Sequence, residues 1–136
     1  MDLFALTRRL IDIESITPNE RAVGDFLCDE LRRRGFEARK MPVEGARANV
    51  LAAWPGHERP EIVFSTHMDT VPPFIASSED DSRIYGRGSC DAKGIIAAQI
   101  LAAEKLRGAG VYAGLLFLVG EERDSIGAKC CPATPA

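Results

Sequence analysis

The chain has 136 residues, 46% hydrophobic and 27% charged, with a formal net charge of −3. That balance fits one globular domain with a real core and excludes a disordered or membrane class. The charge argues against a general nucleic-acid or anionic-membrane binder, and every apolar run is shorter than a membrane span of roughly 20 residues. Leu3–Leu6 is too short for the apolar core of an export signal. The four cysteines, Cys28, Cys90, Cys130 and Cys131, lack CxxC spacing and read as thiols of a reducing cytoplasm.

Residues 2–13 set Leu3, Leu6, Leu10 and Ile13 on one helical stripe. A second helix is expected to open at Thr17-Pro18-Asn19-Glu20, with Thr17 as N-cap, Pro18 at the first helical position and Glu20 closing a capping box. Its apolar face is Val23, Phe26, Leu27 and Leu31, and Gly35 stops it. Arg32-Arg33-Arg34 at its end suits the helix dipole and is expected to be solvated. Strands are expected over 36–43 and 48–54, joined by a hairpin turn at 44–47.

Residues 61–66, with Ile62-Val63-Phe64, read as a buried central strand that Pro72-Pro73 keeps from continuing. A polar loop over 77–82 and a short extended piece at 83–85 follow. The tight loop 86–94 leads into a helix over 94–106, apolar nearly all round and so packed on a sheet. A second buried strand, 115–119, ends at Gly120-Glu121-Glu122. Strand, helix and strand fit a crossover between parallel strands, and the fold class is α/β.

Chemistry-bearing residues gather at the ends of these elements: His67 with Asp69, Asp91, and Glu121-Glu122. Two positions apart at a strand end, the His67 and Asp69 side chains point to the same side. In open α/β sheets the C-terminal strand ends are where ligands bind. One imidazole and several carboxylates without thiolate suit a divalent zinc, cobalt or manganese site. The Gly86/Gly88 pair fails the dinucleotide pattern, because Asp91 stands where a third Gly would be, and no Lys-Ser/Thr follows as in a P-loop. His57 lies in an expected turn and has no assigned role.

The motifs Ser-Thr-His-Met-Asp-Thr-Val-Pro at 65–72, Gly-Arg-Gly-Ser-Cys-Asp-Ala-Lys-Gly at 86–94 and Gly-Glu-Glu at 120–122 occur in this order on these elements. Together they resemble the co-catalytic zinc metallohydrolase family of acetylornithine deacetylase, succinyl-diaminopimelate desuccinylase, aminoacylase and glutamate carboxypeptidase. The resemblance implies the N-terminal portion of a zinc-peptidase-like catalytic domain over 1–129, a mixed sheet flanked by helices. It implies two divalent metal ions, zinc first with cobalt or manganese as alternatives. His67 would bind one ion, Asp91 would bridge both from a loop whose Asp91–Ala92 bond is cis, and Glu122 would bind the other. Asp69 would steady His67, and Glu121 would be the general base. The implied reaction is amide hydrolysis of a small N-acyl amino acid, acetylornithine deacetylase-like, with a dipeptidase or carboxypeptidase as the alternative.

The same resemblance makes clear what the chain does not carry. Each ion needs a further ligand, an Asp or Glu and a His beyond Glu122, yet the last acidic residue is Asp124 and the last His is His67. The lid domain through which such relatives form homodimers is absent. Residues 130–136, with Pro132 and Pro135, read as an irregular tail of a truncated or frameshifted frame. Strand 115–119 is expected to present an open apolar edge, and the chain alone to bind metal weakly with little catalysis. A non-catalytic fragment with residual metal binding, or a small α/β binding protein with solvated carboxylates, are the competing readings.

Overall fold

The strand Gly114–Leu118, β6, lies between two others in a four-stranded sheet. This computed structural model describes residues 2–131. The remaining elements are α1 (Leu3–Ile11), α2 (Arg21–Arg33), β1 (Glu37–Glu44), β2 (Arg47–Ala53), β3 (Val63–His67), β4 (Ser78–Glu79), β5 (Ile84–Tyr85), α3 (Lys93–Gly108) and α4 (Ile126–Lys129). β1, β2 and β6 pair antiparallel, whereas β3 and β6 pair parallel on either side of the α3 crossover. The sheet is therefore mixed and flanked by helices, as the resemblance implies. The expected tail falls mostly outside the described residues, since 132–136 are not among them.

The core follows the period-2 pattern of β2 and β6. Val50 pairs with Phe117 and Ala52 with Leu115, all essentially buried. α2 packs on β1 and β2, while α3 packs on β3 and β6 and also holds α1. Leu6, Leu10, Val23, Leu27, Leu31, Ile96 and Ile100 complete that core. Asn49, also buried, ties β2 to the far end of β6: its Oδ1 accepts from Val119 N at 3.0 Å and its Nδ2 donates to Gly127 O at 2.9 Å. Among the described residues no helix is long and apolar enough to cross a membrane.

Four expectations need correction. The strand carrying Ile62-Val63-Phe64 is neither central nor buried: β3 ends the sheet, and Ile62 and Val63 are 46% and 45% exposed. An apolar run looks the same whether it fills the middle of a sheet or its edge. Conversely, the strand expected to show an open edge, β6, is paired on both sides. The capping box does not form. α2 starts at Arg21 after a cis Thr17–Pro18 bond, Glu20 takes the N-cap position without a side-chain capping bond, and the side chains of both Thr17 and Glu20 point elsewhere. Finally, Arg34 is not solvated: its side chain, 11% exposed, pairs with Glu30 at 3.2 Å and Glu104 at 2.5 Å.

Candidate metal centre

Parallel pairing decides which residues meet at the sheet's edge. His67 closes β3 opposite Leu118 of β6, and Met68 N extends the ladder by donating to Leu118 O at 2.8 Å. The chain leaving β6 therefore turns over the same edge as the chain leaving β3, and Glu121 and Glu122 arrive beside His67. The loop before α3 returns there too. Gly88, with φ +90°, lets it pass where a Cβ would come 3.0 Å from Thr70 and 3.1 Å from Lys93. Lys93 N donates to Gly88 O at 2.8 Å, and the buried Lys93 ammonium donates to Ile13 O at 2.5 Å. Desolvation lowers Lys93 to about 8. The Asp91–Ala92 bond of this loop is cis.

His67 is the meeting point. Its Nδ1 lies 2.9 Å from the Asp69 carbonyl and 3.3 Å from Asp69 Oδ1. Both neighbours are acceptors, so Nδ1 is placed to donate to Asp69. Nε2 is then the nitrogen that can give a lone pair to a cation, and it faces Asp91 Oδ1 at 2.8 Å and Glu121 Oε2 at 3.5 Å. The hydrogen bond with Asp69 raises the imidazole to about 9; burial opposes this, and Asp91 and the Asp69 and Glu121 charges add to it. A metal ion on Nε2 would take the place of that proton.

Asp69 has 0% exposure. Its Oδ2 accepts from Thr17 Oγ1 at 2.6 Å and Glu122 N at 3.0 Å, and its Oδ1 accepts from Glu121 N at 3.1 Å. Burial pushes its carboxyl up, but the hydrogen bonds from His67, Thr17 and the Glu122 backbone outweigh it and hold the group at about 2. Asp69 is therefore an anion at neutral pH, in contact with the His67 ring and hydrogen-bonded to the backbone of both glutamates.

The other predicted residues are more open, with the Asp91 side chain 71% and the Glu121 side chain 52% exposed. Burial raises the Glu122 carboxyl, and the Asp91 charge adds to the shift. His67, Asp91 and Glu122 each offer one ligand atom, and these atoms lie within 4.8 Å of one another. An imidazole nitrogen and two carboxylates, backed by a buried carboxylate on the other ring nitrogen, are a donor set that fits zinc, cobalt or manganese. All five predicted positions thus come together. Sequence reasoning missed Thr17 and Glu20, which hold this centre from behind: Glu20 Oε2 accepts from Gly120 N at 2.9 Å. Their signal was present in Thr-Pro-Asn-Glu, but it fits a helix cap equally well.

The model of peptidase family M20/M25/M40 matches residues 63–131. A probable carboxypeptidase of Aspergillus clavatus is 42% identical over 98% of this chain, and the match spans 32% of that relative's own length. The chain thus covers about a third of the curated relative. A tripeptidase of Staphylococcus aureus superposes with a TM-score of 0.79 at 25% identity, over 96% of this chain and 39% of that one. A Bacillus subtilis protein described as a dinuclear metal binding peptidase of the M20 family gives a TM-score of 0.59 at 18% identity, over 88% of this chain and 35% of that one.

Proposed function

Because the chain belongs to peptidase family M20/M25/M40, we propose that the complete protein is a metal-dependent hydrolase of amide bonds in small peptides. In this reading His67, Asp91 and Glu122 hold metal, Glu121 is the general base and Asp69 orients His67. The carrying observation is the convergence of the three ligand atoms within 4.8 Å, with the Glu121 carboxylate beside them. Two divalent ions, zinc first and cobalt or manganese as alternatives, would be the cofactors, held by His67, Asp91 and Glu122. The donor set supports this, as does the dinuclear description of the Bacillus subtilis relative. When bound, such ions supply Lewis-acid polarisation of the carbonyl and a water that ionises near neutral pH.

The chain's own residues account for the rest. Glu121 takes a proton from the attacking water and passes it to the leaving nitrogen. Its half-open carboxylate, 3.5 Å from His67 Nε2, is reachable by substrate and adjacent to the ligands. Asp69 keeps the His67 ring turned so that Nε2 faces the ligands, and fixes where the two glutamate side chains leave the backbone. Residues 1–129 are then part of a metallohydrolase catalytic domain.

The carboxypeptidase name of the Aspergillus relative supports a peptide or dipeptide substrate cleaved at its C-terminal bond. An N-acyl amino acid of the acetylornithine type is the second reading, favoured by the texture of the motifs at 65–72 and 86–94. Assay of the complete protein against dipeptides and N-acetylornithine separates the two. Glu121→Gln there should keep its metal and lose about 10²–10⁴ in turnover, while His67→Ala should lose metal. Unchanged turnover in the first, or an unaltered metal titration in the second, would overturn the respective role. Turnover by the 136-residue chain with zinc or cobalt would exclude the non-catalytic reading of this fragment.

A further inference from the structure

Glu20 is a buried carboxylate that neither the ligand set nor the proton transfer uses. It is 1% exposed. Its Oε1 lies 2.9 Å from Arg47 Nε and its Oε2 3.0 Å from Arg47 Nη2, a two-point grip that holds the carboxylate in one plane. Oε2 also accepts the Gly120 N–H at 2.9 Å. Gly120 has φ +76°, and a Cβ there would sit 3.0 Å from Arg47 Nη2 and 2.8 Å from Ile126, so the backbone lies directly against the pair.

The next two N–H groups, of Glu121 and Glu122, go to Asp69. Three successive N–H groups of one turn therefore point into two buried carboxylates. Such runs of amides form anion-binding nests, and here the anions are the protein's own side chains. Asp69 takes the Glu121 and Glu122 N–H groups, and the Ser125 N–H closes the turn on Gly120 O at 2.9 Å. The bond from Gly120 N–H to Glu20 adds an anchor on a different element, directly ahead of the two glutamates. A buried ion pair adds little net stability once desolvation is counted, so stability alone is a weak reason for Glu20 and Arg47 to be there.

We propose that Glu20, locked by Arg47, is a positioning residue that fixes Gly120 and thereby the aim of Glu121 and Glu122. Its functional meaning rests on the roles given above to those two glutamates, but its test does not need them. Glu20→Met combined with Arg47→Met removes both charges together and leaves no unpaired buried ion. Amide hydrogen exchange in the metal-free chain is the readout. Glu121 and Glu122 N–H should exchange about tenfold faster or more although Asp69 is intact, while Leu116 and Phe117 in β6 keep their protection. Unchanged exchange at Glu121 and Glu122 would show that Asp69 suffices and overturn the proposal. A parallel rise throughout β6 would also overturn it, because Glu20 would then serve only the fold.

Arg47→Lys tests the same idea without removing charge. The lysine retains the ion pair but not the planar two-point grip, so a smaller acceleration, about threefold, is expected at the same amides. None would count against the lock. Cobalt titration reads the metal assignment separately: cobalt absorption that disappears in His67→Ala supports the ligand set, and the Glu20→Met, Arg47→Met chain should bind cobalt about tenfold more weakly. If the unsubstituted chain gives no His67-dependent signal, the metal reading fails, and the exchange data still decide the role of Glu20.

Discussion

Two loops bring carboxylates to His67, and only one of them is built on buried carboxylates. The turn after β6 is held by charge: Gly120, Glu121 and Glu122 each donate a backbone N–H to the buried carboxylates of Glu20 and Asp69. The loop before α3 is held by close packing together with backbone bonds such as Lys93 N to Gly88 O at 2.8 Å. Gly88 passes within a methyl's reach of Thr70 and Lys93, and Gly94 lies so near the Ser89 carbonyl that a Cβ would be 2.3 Å away. Acceptors fix a backbone without filling space, whereas packing fixes it by leaving none. Removing a buried charge should therefore loosen the first loop and spare the second, whose close contacts an added atom would break.

The largest effect is expected from Asp69→Asn. The amide keeps the shape of the carboxylate but turns one acceptor into a donor facing N–H groups and leaves His67 without its anion. Loss of one partner from a buried charged network costs about 3–5 kcal/mol, to be measured by urea denaturation of the 136-residue chain. A loss below about 1 kcal/mol, the scale of a neutral hydrogen bond, would mean that the turn is not held by charge and would erase the contrast between the loops.

That contrast was only half visible in the sequence. His67, Asp69, Asp91 and Glu121-Glu122 stood out as candidates because each follows a strand or a glycine loop, where apolar patterning breaks off abruptly into polar residues, whereas their division into ligands, base and orienting residue came only from the family resemblance. The α/β class was legible from the same alternation. Glu20 and Thr17 were not, since Thr-Pro-Asn-Glu is locally as good a helix cap as it is a pair of long-range anchors. Their true partners, Arg47, Gly120 and Asp69, lie far along the chain. Sheet order was hidden for a related reason. Ile62-Val63-Phe64 and Leu115-Leu116-Phe117 are equally apolar, but only the second is paired on both sides. Hydrophobicity reports that a segment wants a neighbour, not how many it has.

Gly94→Ala addresses the packed loop. Within helix α3, alanine would ordinarily be favoured over glycine by about 1 kcal/mol. Here its Cβ would meet the Ser89 carbonyl at 2.3 Å, a backbone atom that cannot swing aside. Overpacking of this kind costs about 1–3 kcal/mol, so a net loss of about 1–2 kcal/mol is expected in a urea melt, from the balance of the two. The cobalt signal should fall as well, because the Ser89–Asp91 segment must shift. A stabilised protein would show that propensity outweighs packing and that this loop has slack.

Thr17→Val is the finest test of the charged side. Valine matches threonine in shape and removes only the hydroxyl that donates to Asp69 Oδ2 at 2.6 Å in a buried setting. Asp69 keeps the Glu121 and Glu122 N–H groups and its contact with His67. A hydrogen bond to a charged group contributes about 1.5–3 kcal/mol, and a loss at the lower end is expected because three other donors still face the carboxylate. Glu121 and Glu122 amide protection should be nearly unchanged, unlike in Asp69→Asn. If Thr17→Val instead matched Asp69→Asn in both stability and exchange, Asp69 would owe its placement to Thr17. The turn would then depend on the Thr17 hydroxyl as much as on the two buried carboxylates.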